Sequence, residues 1–445
     1  MNKNPIYFVG IGGIGMSAVA QYFLAQGHLV AGYDRTLTPL TEKLRGLGAH
    51  ITDNESPSEI PQNFRKPKRT KVIYTPAIPL TSPLIKFFKS GGFTIQKRAE
   101  VIGEISATMP CLAVAGTHGK TTTTSLLTHL LRESGKKITA FLGGIAENIG
   151  SNFLLEGQDA MVVEADEFDR SFMHLKPTAL ALTSMDPDHL DIYGTPQELT
   201  NTFAAFVNKV PPTKRFIRQG LDVEGNSFGL ESGIYAIENI QTIEGSYMFD
   251  FVTPFNTLRN LRLRYPGKHN LLNAAAALCL ALEVGCSEEN LRNGLASFRG
   301  VDRRFSIRLT TPKVIVDDYA HHPTEINAVH QALEAFYPSQ VKLAVFQPHL
   351  FSRTRDFADG FKAALARFDE VLLLDIYPAR ELPIEGVTSH LLVNASHGAT
   401  QRITKNQLSR KISESSATVV AIMGAGDIAF EVPEIVKTLK KQYNE

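Results

Sequence analysis

A chain of 445 residues is too long for one compact core and fits two or three domains, three being the better match. Its 46 Lys+Arg against 45 Asp+Glu exclude a global field that would gather nucleic acid or an anionic membrane surface, so no nucleic-acid partner is expected and any anionic ligand must be held locally. Cys111, Cys279 and Cys286 form neither a CxxC pair nor an even disulfide framework and fit reduced thiols in a cytoplasm. The start shows no export signal, and no apolar run reaches the ~18 residues of a membrane span.

Short apolar runs ending in glycine or polar residues alternate with longer helical patterns, which argues for parallel α/β domains. The first run, "PIYFVGIG", leads into GxGxxG at Gly10, Gly12 and Gly15, with Asp34 at a distance that suits a ribose contact. This supports diphosphate binding more firmly than redox chemistry; a tight turn packing a helix on a strand is the plainer account. After "QKRAEVIGEISATM" a new strand begins, which puts a boundary near residue 106.

That strand, "CLAVA", runs into "GTHGKTTTT" and then the helical "SLLTHLLRESG", the strand, loop and helix order of a phosphate cradle. The usual GxxxxGK[ST] wants glycine six residues before the lysine, where Val114 stands. Gly116 and Gly119 still allow backbone N–H groups to approach phosphate, Lys120 can neutralise the β- and γ-phosphates, and the Thr121 hydroxyl can ligate Mg²⁺. Glu164 ends the run "MVVE", and His189 follows the next strand in "DPDHLDIYG". Adjacent strand ends would bring this carboxylate and imidazole beside the loop as further metal ligands, against the alternative of a salt bridge and a helix cap.

Residues 220 to 264 read as strands and turns, "PGKHNLLNAAAALCLALEVGC" as a loop feeding a helix, and "SFRGVDRRFSIRL" as the hinge into a third domain. There four apolar runs, "KVIVDDYAHH", "VKLAVFQPH", "EVLLLDIYPARE" and "TVVAIMGAGD", each end in residues able to bind a ligand. In an open parallel sheet such tails converge beyond the carboxyl ends of the strands. Arg353 and Arg355, two apart, would diverge on a helix, whereas in a loop both could reach anions; either guanidinium suits a carboxylate.

Taken in order, "GIGGIGMSA", "RAE", "GTHGKTTTT", "EADEFDRSF", "DHLDIY", "HNLLNA", "DRRF", "DDYAHHPTE", "FQPH", "RTRD", "IYPARE" and "GAGD" resemble the Mur ligases along the whole chain. The resemblance implies an α/β fold of three domains: a Rossmann-like one for a UDP-sugar over 1–106, a central P-loop ATPase with a mainly parallel sheet over 107–298, and a C-terminal dinucleotide-fold domain over 299–445 that closes on ATP and amino acid. It implies ATP and two Mg²⁺ ions, UDP-N-acetylmuramate and L-alanine as substrates, and a monomer or homodimer. By motif, Gly116, Thr117, His118, Gly119, Lys120, Thr121 and Thr122 would hold ATP phosphates, with Thr121 and Glu164 at one ion and His189 at the other. His269 and Asn273 match positions near adenine, Asp318 the ribose and Arg304 the phosphates. Gly12, Gly13, Ile14, Gly15 and Met16 would meet the UDP diphosphate, with Asp34 and Arg98 beside the same substrate, while Tyr319, His321 and Arg353 match positions around the lactyl carboxylate and L-alanine. Lys120, His189, Arg304, His321 and Arg353 are the implied catalytic set. The chain departs from many relatives at Leu350 and Phe351, where they carry a cation and a phenol, and at "TPAI" (75–78), where others have two serines; Arg353 or Arg355 would then carry more of the anion contact.

Three rivals are weaker or closer. An NAD(P) dehydrogenase leaves the middle phosphate loop unexplained, and a P-loop switch or transport ATPase leaves the first and third domains idle. A recycling ligase of the same family, attaching a preformed peptide, differs only in pocket size.

Overall fold

The computed structural model describes residues 3–186, 190–243, 246–379, 381–393 and 399–443, and three sheets follow one another along the chain. The first consists of β1 (Ile6–Val9), β2 (Val30–Tyr33), β3 (His50–Thr52), β4 (Lys71–Tyr74) and β5 (Thr94–Lys97), in the order β3-β2-β1-β4-β5 and parallel throughout. β1 and β2 are buried at every position, as expected of parallel strands covered on both faces, which read as continuous apolar runs. The strand order turns back at β1, and from its carboxyl end the chain passes through Gly10 into the helix Ile14–Ala25.

The second sheet has ten strands: β6 (Cys111–Ala115), β7 (Ile138–Ala146), β8 (Ser151–Leu155), β9 (Ala160–Ala165), β10 (Ala179–Leu182), β11 (Arg215–Arg218), β12 (Asn226–Leu230), β13 (Tyr235–Ile243), β14 (Ser246–Val252) and β15 (Thr257–Leu263). They are ordered β15-β14-β13-β12-β11-β10-β6-β9-β7-β8, and the run β10-β6-β9-β7 is parallel. The stretch from 220 to 264 thus contributes strands and turns, as its polarity indicates.

One hydrophobic core serves both sheets, since Phe8, Val19 and Ile102 belong to the same buried cluster as Phe141, Val163 and Phe203. Polar bonds reinforce the junction: Asn152 Nδ2 donates to the Ile14 carbonyl at 2.6 Å and to Ser17 Oγ at 2.9 Å, and Gln21 Nε2 donates to Asn152 Oδ1 at 3.0 Å. Such buried amides are costly to leave without partners, so they fix the register of the helix Ile14–Ala25 over β8. The expected boundary near residue 106 therefore falls between two sheets that share a core. Compactness divides the chain elsewhere: Met1–Asn239, Phe249–Arg262 and His269–Arg299 form one unit, and Ile240–Met248, Leu263–Lys268 and Gly300–Glu445 the other.

The third sheet, within the second unit, contains β16 (Ser306–Leu309), β17 (Val314–Asp318), β18 (Lys342–Phe346), β19 (Glu370–Leu373), β20 (Ala399–Arg402) and β21 (Val419–Met423) in the order β16-β17-β21-β18-β19-β20. The four apolar runs of the sequence are β17, β18, β19 and β21; they are parallel neighbours, so their polar tails emerge along one edge. Among the described residues no helix is long and apolar enough to cross a membrane.

Candidate active site

The phosphate loop leaves the buried strand β6 at Gly116 (φ +132°) and enters the helix Lys120–Glu133 through Gly119 (φ +85°). Both angles lie where glycine is at ease and other residues are strained. Space forbids a side chain as well: a Cβ on Gly116 would stand 2.3 Å from Thr183 Oγ1, and one on Gly119 would stand 2.3 Å from Asn273 Oδ1. The segment after β10 pins the loop. Thr183 Oγ1 donates to the Ala115 carbonyl at 3.0 Å, the His118 N–H donates to Ser184 Oγ at 2.8 Å, and the Asp186 N–H donates to Thr117 Oγ1 at 3.0 Å.

Lys120 donates to the Gly116 carbonyl at 2.6 Å and forms an ion pair with Glu167 at 2.8 Å, in which the carboxylate side chain is 2% exposed. Burial raises the Glu167 pKa, against the lowering pull of the Lys120 ammonium. One position along the helix, Thr121 Oγ1 donates to Glu164 at 2.9 Å, and the Gly143 N–H donates to the same carboxylate at 3.0 Å. Glu164 reaches the loop because β9 lies beside β6, with Val114 opposite Glu164. Thr122 is buried, which leaves its backbone N–H as the group for a phosphate.

A hydroxyl and a carboxylate are the hard oxygen donors that magnesium accepts, with its other positions filled by phosphate and water. The Thr121–Glu164 pair fits that ion. Among the described residues no group of three His, Cys, Asp or Glu side chains forms a fuller metal cage, and magnesium needs none. His189, expected at a second ion, lies outside the described residues.

At the first glycine loop, Asp34 Oδ2 accepts the Gly12 N–H at 2.7 Å, and its Oδ1 accepts the Thr36 N–H at 3.1 Å. Its carboxylate therefore shapes the loop. The first-turn N–H groups of the helix Ile14–Ala25 have no partner within the helix, the usual arrangement for receiving an anion. Met16 is buried, so its side chain belongs to the core under the loop. Arg98 lies directly over the loop: a Cβ on Gly15 would stand 2.0 Å from Arg98 Nη1, while Nη2 donates to Asp166 at 3.1 Å. Arg98, Glu164 and Asp166 line one small cavity together with Phe172, so the residue over the first glycine loop and the residue bonded to Thr121 lie on a common surface. The "TPAI" segment abuts the loop from behind, as a Cβ on Gly10 would meet Thr75 Cγ2 at 2.6 Å.

Asn273, expected near adenine, has its amide against Gly119, and Nδ2 donates to Asn270 Oδ1 at 2.9 Å. His269 is exposed at the start of the helix Lys268–Glu283.

The second unit gathers its own group. Asp318 accepts the Phe305 N–H at 2.6 Å and the Ala320 N–H at 2.7 Å, which secures the turn bearing Arg304. Burial pushes its carboxyl up to about 7, opposed by these two N–H groups and by the Arg304 charge. The Arg303 guanidinium lies 5.2 Å from the Tyr319 ring centre; Tyr319, His321 and His349 continue edge to edge, and His349 stacks on Tyr377. Arg353 approaches His349 Nδ1 at 3.4 Å, whereas Arg355 is exposed and pairs with Asp356 at 2.8 Å. Residues Phe351–Asp356 are helical, so the two arginines diverge and Arg353 alone joins the group.

Glu167, Thr183, Ser184, Asp166 and Gly143 were missed as site residues. Glu167 and Asp166 had a signal, lying inside "EADEFDRSF", and so had Thr183 and Ser184, at the polar end of the run "PTALALTSMD".

Three family models match in chain order: "Mur ligase family, catalytic domain" over residues 5–109, "Mur ligase middle domain" over 114–281 and "Mur ligase, glutamate ligase domain" over 303–428. A UDP-N-acetylmuramate–L-alanine ligase of Christiangramia forsetii is 52% identical over 97% of both chains. The chain belongs to the Mur ligase family. Among solved Mur ligases, a UDP-N-acetylmuramate–alanine ligase of Thermotoga maritima superposes with a TM-score of 0.86 at 28% identity, covering 99% of this chain and 100% of the other. A murein peptide ligase of Psychrobacter arcticus shares the fold at a TM-score of 0.69 and 20% identity, covering 98% of each.

Proposed function

We propose that this chain joins L-alanine to the lactyl carboxylate of UDP-N-acetylmuramate while ATP becomes ADP and phosphate, a step in making peptidoglycan precursors. The observation that carries the reading is the grouping of Lys120, Thr121 and Glu164 where the loop leaves β6 beside β9, the strand whose continuation bears Asp166, the partner of the Arg98 that lies over Gly15. Full-length identity to a relative of that name supports the choice of substrates.

A carboxylate resists an amine because its charge repels the nucleophile and oxide is a poor leaving group. Attack of a lactyl carboxylate oxygen on the γ-phosphorus, with departure of ADP, removes both obstacles by forming an acyl phosphate. The neutral amine of L-alanine then attacks the acyl carbon, the C–O bond to phosphate breaks, and the amine proton is released. Lys120 and the backbone N–H groups of residues 116–122 stabilise charge on the transferring phosphoryl group. Magnesium held by Thr121 and Glu164 would supply further neutralisation of phosphate oxygens. Gly12 to Met16, Asp34 and Arg98 bind the sugar nucleotide; His269, Asn273, Arg304 and Asp318 serve the ATP nucleoside and phosphates; Tyr319, His321 and Arg353 orient the lactyl carboxylate and L-alanine. On this reading the enzyme works in the cytoplasm, where both nucleotides are made.

The test is phosphate release by purified protein with Mg²⁺, ATP and UDP-N-acetylmuramate, comparing L-alanine, glycine, L-serine and a tripeptide. L-alanine should give the highest kcat/KM. Release that ignores both acceptor and sugar nucleotide would sink the ligase reading, and a preference for the tripeptide would turn it into a recycling ligase.

A further inference from the structure

The segment Asp166–Arg170 takes no part in the steps above, yet it holds Lys97 and Arg98 beside the first glycine loop and Lys120 at the end of the second. Toward the sugar-nucleotide side, Asp166 holds Arg98 at 3.1 Å and Asp169 holds Lys97 at 2.7 Å. Toward the ATP side, Glu167 holds Lys120 at 2.8 Å. With the Gly116 carbonyl also accepting from Lys120 Nζ at 2.6 Å, a phosphate oxygen must compete for the ammonium. Lys120 is therefore held by an anion in the place where an anionic substrate would need it.

The backbone between these grips is strained. Asp169 (φ +53°) and Arg170 (φ +55°) are consecutive non-glycine residues in the left-handed region, a conformation that persists only where its surroundings hold it. It is over-determined by the Tyr193 hydroxyl donating to the Glu167 carbonyl at 2.6 Å, the Phe172 N–H donating to the Asp166 carbonyl at 2.9 Å, and the Arg170 guanidinium over the Tyr193 ring at 5.5 Å. Strain held by a few contacts suits an element with two arrangements.

We propose that Asp166–Arg170 links the two loops, with Glu167 as the positioning residue for Lys120. A diphosphate arriving over Gly15 competes with Asp166 for the Arg98 guanidinium; as that pair loosens, the adjoining residue Glu167 relaxes its hold, and Lys120 turns to the ATP phosphates. ATP is then engaged tightly only when the carboxylate that will receive its phosphoryl group is bound. The inference rests on the assignment of the two loops under Proposed function.

Titration of the full-length protein with Mg²⁺-ADP, with and without UDP-N-acetylmuramate, tests both separately. In the unaltered chain the sugar nucleotide should tighten ADP binding by about fivefold or more, the lower range of site-to-site coupling. Glu167→Gln should tighten ADP binding without sugar nucleotide by about threefold or more and reduce the coupling below about twofold, because the competing charge is gone. Asp169→Asn, at a half-exposed side chain, should reduce the coupling while each ligand still binds. Weaker ADP binding by Glu167→Gln, or coupling preserved in both variants, overturns the linkage. Failure of the unaltered chain to bind either nucleotide overturns the assignment of the loops instead.

Discussion

The two glycine loops solve one backbone problem with different side chains. Each leaves a buried parallel strand through a glycine at positive φ, Gly10 or Gly116, and enters a helix whose first N–H groups face outward. The first opens its helix with Ile14, Gly15 and Met16, borrows its cation from Arg98, and uses Asp34 to set the curve. The second opens with Lys120 and Thr121 and collects Glu164 and Glu167 from the neighbouring strand β9 and its continuation. On the proposed reading, a shared backbone device becomes a recognition loop or a phosphoryl-transfer loop according to the charges brought to it by adjacent strands. Helix-terminal N–H groups suffice to bind a phosphate; moving one requires charge placed where it develops.

That contrast breaks most visibly at Lys120. Lys120→Ala should lower ligation by about 10³-fold or more while sugar-nucleotide binding stays within about twofold; lost sugar binding in calorimetry would erase the division between the loops. Glu164→Gln should cost about 10²-fold in kcat and raise the Mg²⁺ concentration for half-activity, read from metal titrations of the rate. An unchanged metal requirement would remove Glu164 from the ion. On the recognition side, Gly15→Ala places a Cβ 2.0 Å from Arg98 Nη1 and must displace the guanidinium. Its expected signature is a KM for UDP-N-acetylmuramate raised about tenfold with KM for ATP little changed. The smallest effect is reserved for Asp34→Asn, which keeps the shape beside the Gly12 N–H but removes the charge: about threefold in the same KM.

Much of this was legible because parallel strands advertise themselves. "CLAVA" and "IYFV" are buried at every position, and a loop following such a strand into a helix is a local pattern. The Thr121–Glu164 pair was legible for a related reason, since consecutive α/β strand ends meet at one edge. The grip of Glu167 on Lys120 was not, because the partners are 47 residues apart and nothing in their spacing distinguishes Glu167 from Glu164. The place of Asn273 against Gly119 was not legible, because it depends on how the helix Lys268–Glu283 packs. The choice between Arg353 and Arg355 turned on whether six residues coil as a helix, a local decision that their composition leaves open.

The buried cluster common to the first two sheets bears on how such a chain can be recombined. Phe8 and Val163 share one interior, and Asn152 reads the helix of the first sheet through Ile14 and Ser17. A chimera cut between residues 106 and 111 would have to match a foreign apolar face and a foreign amide network together. The first sheet is in that sense not a cassette: a graft taken from a relative should be soluble and active when the Gln21–Asn152 pair travels with it, and should aggregate when residues 1–106 are exchanged without matching that pair.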